Sequence, residues 1–480
     1  MMRKNSVFFA LAFAAFVCAA PRCASASTVL SELKGLGGDI AEPPMPQDPK
    51  PDNDLQPGRE SEWTVMVYIN GKTDPRGEVD QAIKSMEQAG STKDVKIVVE
   101  ASRNDWNDNG RIWSGSKRLF IANPEDNLRT VTLQSKERSD KDDWRNIAKF
   151  AVYAKKNFPA RHYMVVLWDR AALKPLQKSS AGARDGDAED AESSGAEIGG
   201  GGDNTVVEMG EVMQRISRTL RKKIDIFALD AGNMADASVN AQIYNNTEYI
   251  VSAQGDCFNL RYEKFLGALR KSPFMQGDDV AKSAVFSYRD YYSVASKKPT
   301  TLSAVKSEKM RELAQSLRSL SEKGRRQGDV SAMKKLRPLE FEFKDESGQT
   351  NTDFKDLGDF AKLGSGAKSG VKDAPLRQAL KNIRRALSGQ SLVIANGPTG
   401  KYRGKATGIS VYLPKKDYKN EFDATALAKD SDWDKFAKKL AGKDGQGDSA
   451  QPAGGGDASG GENQGGQGQP PQDGGTESQE

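Results

Sequence analysis

Histidine and cysteine are nearly missing from this chain of 480 residues. It has one histidine, His162, and three cysteines, Cys18, Cys23 and Cys257. Because the first two cysteines lie in a predicted signal peptide, a single thiol remains once that segment is removed. One thiol cannot close an intramolecular disulfide, and zinc sites of the Cys₄ or Cys/His type are excluded. A Cys–His mechanism would have to use Cys257 and His162.

Long apolar runs are missing everywhere except near the amino terminus. Residues 1–26 combine a basic start, an apolar run from Val7 to about Ala20 and a small-residue cleavage site at 24–26, which is the pattern of a secretory signal peptide. No later run reaches the ~18 apolar residues that a membrane helix needs. The sequence therefore predicts an exported protein, secreted or periplasmic, with no membrane span.

A strong charge imbalance is also lacking. The signal segment takes three basic and no acidic residues with it, so that 68 basic and 66 acidic side chains remain, a net charge of +2. Such a balance gives no field that would attract nucleic acid or acidic lipid. We expect no nucleic-acid partner.

Composition divides the rest of the chain into a linker, a domain and a tail. Residues 27–62 are rich in Pro, Gly and Asp, which is typical of a linker. Residues 63–440 carry an α/β pattern, interrupted at 171–204 by a polar, Gly-rich stretch that we interpret as an exposed insertion. Residues 441–480 contain almost nothing apolar, and a disordered Gly/Gln-rich tail is expected because they cannot bury enough surface to offset their ordering entropy.

Five continuously apolar runs are typical of parallel strands covered on both faces. These runs are WTVMVYI (63–69), VKIVVEA (95–101), YMVVLW (163–168), IDIFAL (224–229) and EYIVSA (248–253). Apolar faces with helical spacing lie between them, around Val79, Ile147 and Met209. The alternation predicts an α/β fold, a mostly parallel sheet with helices on both faces. A C-terminal α/β extension is predicted from helical patterns at 307–322 and 376–387 and apolar runs at 391–396 and 408–414.

Acidic residues end two of the predicted strands. Asp169 and Asp230 fall at the carboxyl edge of the sheet, where α/β proteins bind ligands. Paired carboxylates can hold a metal or act as acid and base, but the adjacent Arg170 favours a satisfied charge cluster. His162 begins one strand and Cys257 follows the carboxyl end of another, which separates them by roughly 20 Å. A thiol–imidazole dyad is therefore not expected.

Several stretches, taken in order, resemble the clostripain-type cysteine peptidases, secreted relatives of the caspase and gingipain fold. WTVMVYING resembles the family's opening strand, and NFPARHYMVVLWD resembles its third strand, which normally ends Trp-Asn-His-Gly. IDIFALDAGNM resembles the fourth strand, which normally ends Asp-Ala-Cys-Leu-Met. EYIVSAQGD, YEKFLGAL, TGISVYLP and DSDWDKFAKKL resemble later landmarks, so the likeness covers about 63–440. It implies a caspase-like sheet.

Carried over residue by residue, the resemblance implies a degenerate member of that family. The family's catalytic histidine falls on Arg170 and its nucleophilic cysteine on Gly232. Trp168, Asp230, Ala231 and Met234 match the family pattern, whereas Asp169 replaces Asn and Ala171 replaces Gly. Glycine has no side chain to form a thioester, and an arginine, with a pKa above about 12, cannot accept a proton at neutral pH. The resemblance thus implies a peptidase homologue without its dyad.

The predicted role is to bind a peptide or a partner protein across the old active site. The candidate substrate-binding residues are Asp230, Asp256, Asp169 and Cys257. The first two would give the pocket an acidic floor, which in this family suits basic side chains. Arg170 is predicted to fill the vacated space and to pair with one of the strand-end aspartates. No cofactor is expected from the residues, although the resemblance allows calcium, which supports many active relatives.

Two alternative functions belong to other classes. The first is an enzyme, either a peptidase with its nucleophile relocated to Cys257 or a different hydrolase that uses Asp169 and Asp230. The second is an envelope scaffold, in which the Pro-rich linker and the Gly/Gln-rich tail matter more than the pocket. An enzyme should react with a thiol-directed or substrate-analogue probe, a binder should show saturable peptide affinity, and a scaffold should show neither.

Overall fold

Twelve strands in two sheets make up the β-structure of the described residues. The structure of the protein, a computed structural model, describes residues 58–73, 77–108, 110–136, 145–169, 205–324, 326–344, 350–389 and 391–442. The strands are β1 (Ser61–Asn70), β2 (Val95–Asp108), β3 (Arg111–Phe120), β4 (Val131–Lys136), β5 (Ala160–Asp169), β6 (Ile224–Asp230), β7 (Thr247–Ser252), β8 (Ser303–Lys306), β9 (Glu340–Lys344), β10 (Thr350–Asp356), β11 (Val393–Asn396) and β12 (Ser410–Tyr412).

The same residues form twelve α-helices, several of which begin at capping side chains. They are α1 (Glu78–Ala89), α2 (Arg145–Asn157), α3 (Val206–Leu220), α4 (Ala237–Ile243), α5 (Tyr262–Lys271), α6 (Gly277–Val294), α7 (Met310–Lys323), α8 (Gln327–Lys334), α9 (Leu357–Ser365), α10 (Ala374–Leu387), α11 (Ala426–Ser431) and α12 (Trp433–Leu440). Helix α3 starts at a capping box, in which Thr205 and Glu208 each accept a hydrogen bond from the other's backbone N–H.

The main sheet has nine strands in the order β11-β8-β7-β6-β5-β1-β2-β3-β4. Its centre, from β7 to β2, is parallel, whereas β8, β11, β3 and β4 run antiparallel to the strands they pair with. The five apolar runs of the sequence are these five central strands. The outermost strands are short, four residues in β11 and six in β4, and most of β4 is exposed. The predicted α/β class with a mostly parallel sheet is confirmed.

Helices cover both faces of the main sheet, which explains why the central strands are apolar without alternation. One core layer packs the side chains of Val65, Val67 and Val166 against Met86 of α1, Phe265 of α5 and Tyr288 of α6. The other packs those of Met66, Val165 and Leu229 against Phe150 of α2, Met213 of α3 and Leu317 of α7. Successive residues of a strand point to opposite faces, and here both faces are dry.

A second, antiparallel sheet has the order β12-β10-β9. The apolar run predicted at 408–414 gives β12 in this sheet, whereas the run at 391–396 gives β11 at the edge of the main sheet. The helical patterns at 307–322 and 376–387 correspond to α7 and α10. The C-terminal region therefore supplies a small sheet and also completes the main one.

Some of the predicted parts lie outside the described residues. These are the signal peptide at 1–26, the linker up to residue 57, the insertion at 171–204 and the tail beyond residue 442. Their boundaries stay predictions. Among the residues that the structure does describe, no helix is both long enough and apolar enough to cross a membrane.

Candidate functional site

The carboxyl ends of β1, β5 and β6 meet at one edge of the main sheet. The strand register sets Asn70 opposite Asp169 and Trp168 opposite Asp230. Asn70 Nδ2 donates to Asp169 Oδ2 at 3.2 Å, and both residues are buried. The two strand-end aspartates thus lie at the same edge, on adjacent strands. Arg170 lies outside the described residues, so its predicted pairing with them stays a prediction.

The turn that follows β6 leads from this edge into α4. Asn233 adopts a left-handed conformation (φ 58°), and its backbone N–H donates to the carbonyl oxygen of Gly255 at 3.0 Å. The N–H of Ala235 donates to the carbonyl oxygen of Ala253 at 2.8 Å. These two bonds hold the turn against the segment that follows β7. Gly232 therefore faces that segment at close range.

The backbone at Gly232 would admit a side chain. A Cβ atom built there would lie 3.6 Å from the oxygen of Gly255, 3.7 Å from Cα of Asp256 and 3.7 Å from the nitrogen of Cys257. These are ordinary van der Waals distances, and Gly232 is not among the residues with positive φ. The fold does not require a glycine at this position, and a side chain placed there would face residues 255–257.

Asp230 ties the loop after β7 to the end of β6. Its Oδ2 accepts hydrogen bonds from the backbone N–H of Leu260 at 3.0 Å and from the hydroxyl of Tyr262 at 2.9 Å. Its Oδ1 lies 3.6 Å from Sγ of Cys257, which donates to it. The exposed fraction of Asp230 is 0 %. The carboxylate is thus turned inward toward the loop, not toward solvent.

Cys257 and His162 lie at opposite ends of the sheet. Cys257 is buried at the carboxyl edge, with Sγ also 3.4 Å from the carbonyl oxygen of Phe258. His162 Nδ1 contacts Asp225 Oδ1 at 2.8 Å, and the imidazole stacks on Trp63 with ring centroids 4.8 Å apart. The structure thus separates the thiol from the chain's one imidazole, as the strand directions predict. Sequence reasoning missed the pairing of His162 with Asp225.

Asp256 is the exposed member of the predicted acidic pair. It follows Gly255 and lies beside the open position at Gly232, while its carbonyl oxygen accepts a hydrogen bond from Thr300 Oγ1 at 2.7 Å. Partial burial raises the pKa of its carboxyl group, and the ammonium of Lys401 acts in the opposite direction. Of the four candidate binding residues, Asp256 is the exposed one, since Asp169, Asp230 and Cys257 are buried.

Aromatic and amide side chains support residues 256–260 from below. Tyr288 accepts a hydrogen bond from the N–H of Phe258 at 3.0 Å, and Tyr292 donates to the carbonyl oxygen of Asn259 at 3.0 Å. Trp168 Nε1 donates to Asn259 Oδ1 at 2.7 Å. Burial raises the pKa of Tyr292, with Cys257 as the next cause. The spacing of the two tyrosines, four residues apart on α6, was the sequence signal that could have found them.

Asp236 is a further buried carboxylate that sequence reasoning missed. It caps α4, where its Oδ1 accepts hydrogen bonds from the N–H of Ser238 at 2.8 Å and from the Ser238 hydroxyl. Its Oδ2 has no hydrogen-bond partner among the described residues. Burial raises the pKa of Asp236 to about 6. The pattern Asp-x-Ser after the turn was the available signal for a helix cap.

Within the described ranges, no group of three or more His, Cys, Asp or Glu residues could hold a metal ion. Asp169 and Asp230 end adjacent strands, and among the residues described no third His, Cys, Asp or Glu joins them to form such a group. Residues 170–204, which follow Asp169, lie outside the described ranges, so the metal site left open at these aspartates stays a hypothesis.

The comparison with protein families matches the clostripain family model over residues 67–440. The chain belongs to the clostripain family. This confirms the resemblance drawn from the strand ends and covers almost the whole predicted domain. No curated protein matches the chain.

Solved structures of clostripain-family proteases share the fold. An inactive zymogen C11 protease from Parabacteroides distasonis is 16 % identical with a TM-score of 0.55, covering 78 % of this chain and 98 % of its own. A secreted C11 cysteine protease from Bacteroides thetaiotaomicron, in complex with an irreversible peptide inhibitor, is 16 % identical with a TM-score of 0.53, covering 78 % and 99 %. At such low identity the likeness establishes the fold, the caspase-like sheet that the resemblance implied.

Proposed function

We propose that this clostripain-family chain binds a peptide or a partner protein at the carboxyl edge of its main sheet and lacks the family's peptidase chemistry. The observation that carries the proposal is the glycine at position 232, which offers no side chain where the resemblance places the family's nucleophile. Arg170, at the position of the family's histidine, cannot act as a base at neutral pH. Without a nucleophile and a base, no acyl-enzyme forms.

The surroundings of Gly232 support the loss of a side chain from an otherwise intact site. The Cβ position is open and unstrained, and the loop at 255–257 still borders it. Asp230 still fixes that loop through Leu260 and Tyr262. A shaped surface remains where the chemistry is missing, which is what a binding module needs.

The proposed ligand carries a basic side chain, because the exposed carboxylate at this edge is that of Asp256. The buried Asp169, Asp230 and Cys257 lie beneath it, where Asp169 accepts from the side chain of Asn70 and Asp230 accepts from the loop at Leu260 and Tyr262. An exposed ion pair contributes only about 0–1 kcal/mol. Backbone and apolar contacts, for example with the half-buried Phe258, must therefore supply most of the affinity.

The relocated-nucleophile alternative has less support. Cys257 is 7 % exposed, and its single S–H has two acceptors within reach, Asp230 Oδ1 at 3.6 Å and the carbonyl oxygen of Phe258 at 3.4 Å. A cysteine nucleophile needs a general base within hydrogen-bond reach, and His162 is engaged with Asp225 at the far end of β6. Substrate access and an imidazole base are both lacking at Cys257.

The first experiment measures cleavage and binding together. We expect no cleavage of fluorogenic peptides that end in Arg or Lys, and saturable binding of labelled basic peptides by fluorescence anisotropy. Asp256→Asn should weaken the binding of basic peptides several-fold and leave neutral peptides unchanged. Asp430→Asn, which removes an exposed carboxylate on α11, is the matched control.

Other results of this experiment would favour the relocated nucleophile or the scaffold. Cleavage that Cys257→Ser abolishes would establish the relocated nucleophile, whereas neither cleavage nor binding would leave the scaffold interpretation. Cleavage restored by Arg170→His with Gly232→Cys would show that only the dyad is missing. We also propose export through the predicted signal peptide, which amino-terminal sequencing of the mature protein checks.

A further inference from the structure

A cavity of about 240 Å³ lies beside the small sheet. Its walls come from the end of α8, the segment leading to β9, helix α9, the segment after β12 and the end of α12. The apolar part is lined by Met333, Leu336, Pro338, Phe360, Leu413 and Leu440. None of the residues that line it belongs to the site around Gly232. The cavity is therefore a separate candidate for ligand binding.

Cationic side chains dominate the polar part of this cavity. Lys334, Arg337, Lys355 and Lys415 line it together with a single carboxylate, that of Glu340. Glu340 Oε1 is already paired with Lys355 Nζ at 3.0 Å and with Lys415 Nζ at 2.7 Å. The cations exceed the one carboxylate by three, so the lining attracts an anion.

Two of these cations are available to a ligand. Arg337 Nη1 donates only to carbonyl oxygens of the main chain, those of Lys334 at 3.2 Å and Leu336 at 2.9 Å. Neither Lys334 nor Arg337 is paired with a carboxylate among the described residues, and both are exposed. A guanidinium can engage a carboxylate through two parallel hydrogen bonds. The rim thus offers an anion site next to the apolar wall.

Lys355 makes the interior of the cavity electropositive. Its side chain is 3 % exposed, and burial lowers the pKa of its ammonium while Glu340 acts in the opposite direction. The ammonium also donates to the carbonyl oxygen of Thr352, but the one carboxylate that balances its charge is shared with Lys415. A second anion near the mouth would improve that balance.

The volume limits the size of the ligand. Sites for drug-sized ligands measure about 300–1,000 Å³, so a cavity of about 240 Å³ suits a smaller one. We propose that this cavity binds a small aliphatic carboxylate, with the hydrocarbon chain against Leu336, Leu413 and Leu440 and the carboxylate at Arg337 and Lys334. Two sources share this chemistry, a free medium-chain fatty acid and the carboxyl terminus of a peptide whose last residue is aliphatic.

The chain's own tail does not have this chemistry. Residues 443–480 follow shortly after Leu440 on the cavity wall and hold seven acidic side chains and one basic side chain. They contain no Leu, Ile, Val, Met or aromatic residue. Their charge suits the rim, but nothing in them can cover the apolar wall, so this tail does not match the proposed ligand.

The test titrates the full chain by calorimetry with octanoate and with the peptide Ala-Ala-Leu, each beside its neutral amide. At least one carboxylate should bind about tenfold or more tightly than its amide, since a hydrogen bond to a charged group is stronger than a neutral one. Arg337→Gln should remove most of that preference. Lys335→Gln, which changes an exposed neighbour outside the lining, is the matched control and should leave it unchanged.

The outcomes separate the sources and can overturn the proposal. Binding of octanoate alone identifies a free acid, and binding of the peptide alone identifies a peptide terminus. Equal affinity for acid and amide, no binding of either acid, or an Arg337→Gln variant that keeps the preference would overturn it. Thermal unfolding of each variant checks that the fold is intact, and the amide comparison tests the charge without any substitution.

Discussion

The two ends of β6 each carry a carboxylate, and the two are used differently. At the amino end, Asp225 contacts His162 Nδ1 at 2.8 Å and Lys222 Nζ at 2.9 Å, and it accepts from the N–H of Tyr163 at 2.9 Å. At the carboxyl end, Asp230 accepts from a backbone amide, a phenol and a thiol at 0 % exposure.

The difference agrees with the proposal that a ligand binds at the carboxyl end of the strand. At the amino end, the side chain of His162 is 26 % exposed and that of Asp225 is 12 % exposed, so water can replace part of each contact there. At the carboxyl end, Asp230 is fully buried, so water cannot replace the hydrogen bonds that it accepts from Leu260 and Tyr262 in the segment after β7. His162 thus takes part in a structural contact with Asp225, whereas the carboxyl edge holds a hydrogen-bonded loop beside Gly232.

The largest expected change in the free energy of unfolding comes from replacing Asp230 by Ala, and Asp225→Ala is its comparison. Asp230→Ala leaves the Leu260 N–H and the Tyr262 hydroxyl buried without an acceptor, at about 1–3 kcal/mol each. We expect the free energy of unfolding in urea to fall by about 2–6 kcal/mol. Asp225→Ala should lower it by about 1–2 kcal/mol, because the contacts there are partly hydrated.

A chemical readout accompanies this prediction. Cys257 is the single cysteine outside residues 1–26, so a thiol reagent such as DTNB reports on this loop alone in the processed chain. Asp230→Ala should speed the reaction strongly, and Asp225→Ala should leave it near the wild-type rate. Equal losses of stability and equal thiol rates for the two variants would remove the distinction between the two ends.

The next effect concerns a third carboxylate on the same segment, Asp236. Burial raises its folded-state pKa to about 6 from 3.8, so the folded protein binds this proton more tightly than the unfolded chain. Stability must then fall as the pH rises from about 4 to about 6, by up to about 3 kcal/mol, and stay level above that. The non-titrating variant Asp236→Asn should lack this dependence.

Urea unfolding of the wild type and of Asp236→Asn at several pH values provides the measurement. The difference between their free energies of unfolding cancels the other titrating groups to first order. A difference that stays constant between pH 4 and pH 6.5 would contradict the prediction.

The smallest effect is expected at Gly232. Its Cβ position is open and its φ is not positive, so Gly232→Ala should change the free energy of unfolding by less than about 1 kcal/mol. Gly90→Ala is the matched control, because Gly90 has a φ of 66° and its Cβ would lie 2.5 Å from Asn123. Thermal unfolding of both variants should show a clear loss for Gly90→Ala alone. A large loss at Gly232 would mean that the fold demands this glycine.

The sequence predicted the central strands because their burial on both faces leaves a continuous apolar run. It did not predict β3 and β4, whose polar residues alternate with apolar ones in short stretches such as VTLQSK. The strands β9 and β10 were missed for a similar reason, since EFEFK and TNTDFKD are mostly polar. Such segments become strands through their partners, and pairing between distant segments is not visible in local composition.

The edge with Asp169 and Asp230 followed from the rule that parallel strands end together. What Asp230 does there could not be inferred, because Tyr262 lies on a different element, 32 residues further along the chain. The role of Tyr288 depends in the same way on how α6 packs under the loop. Contacts of this kind are set by tertiary packing, for which one sequence carries no local signal.

The short outer strands of the main sheet restrict how the protein can recognise an extended chain. An exposed strand edge recruits a partner through its backbone N–H and C=O groups, and a long, flat edge does this best. Here β11 offers four residues and β4 six, and β4 ends in a lysine. Edges this short make strand addition a poor way to hold the proposed peptide or protein ligand, so that such a ligand would be recognised mainly through its side chains at the carboxyl edge.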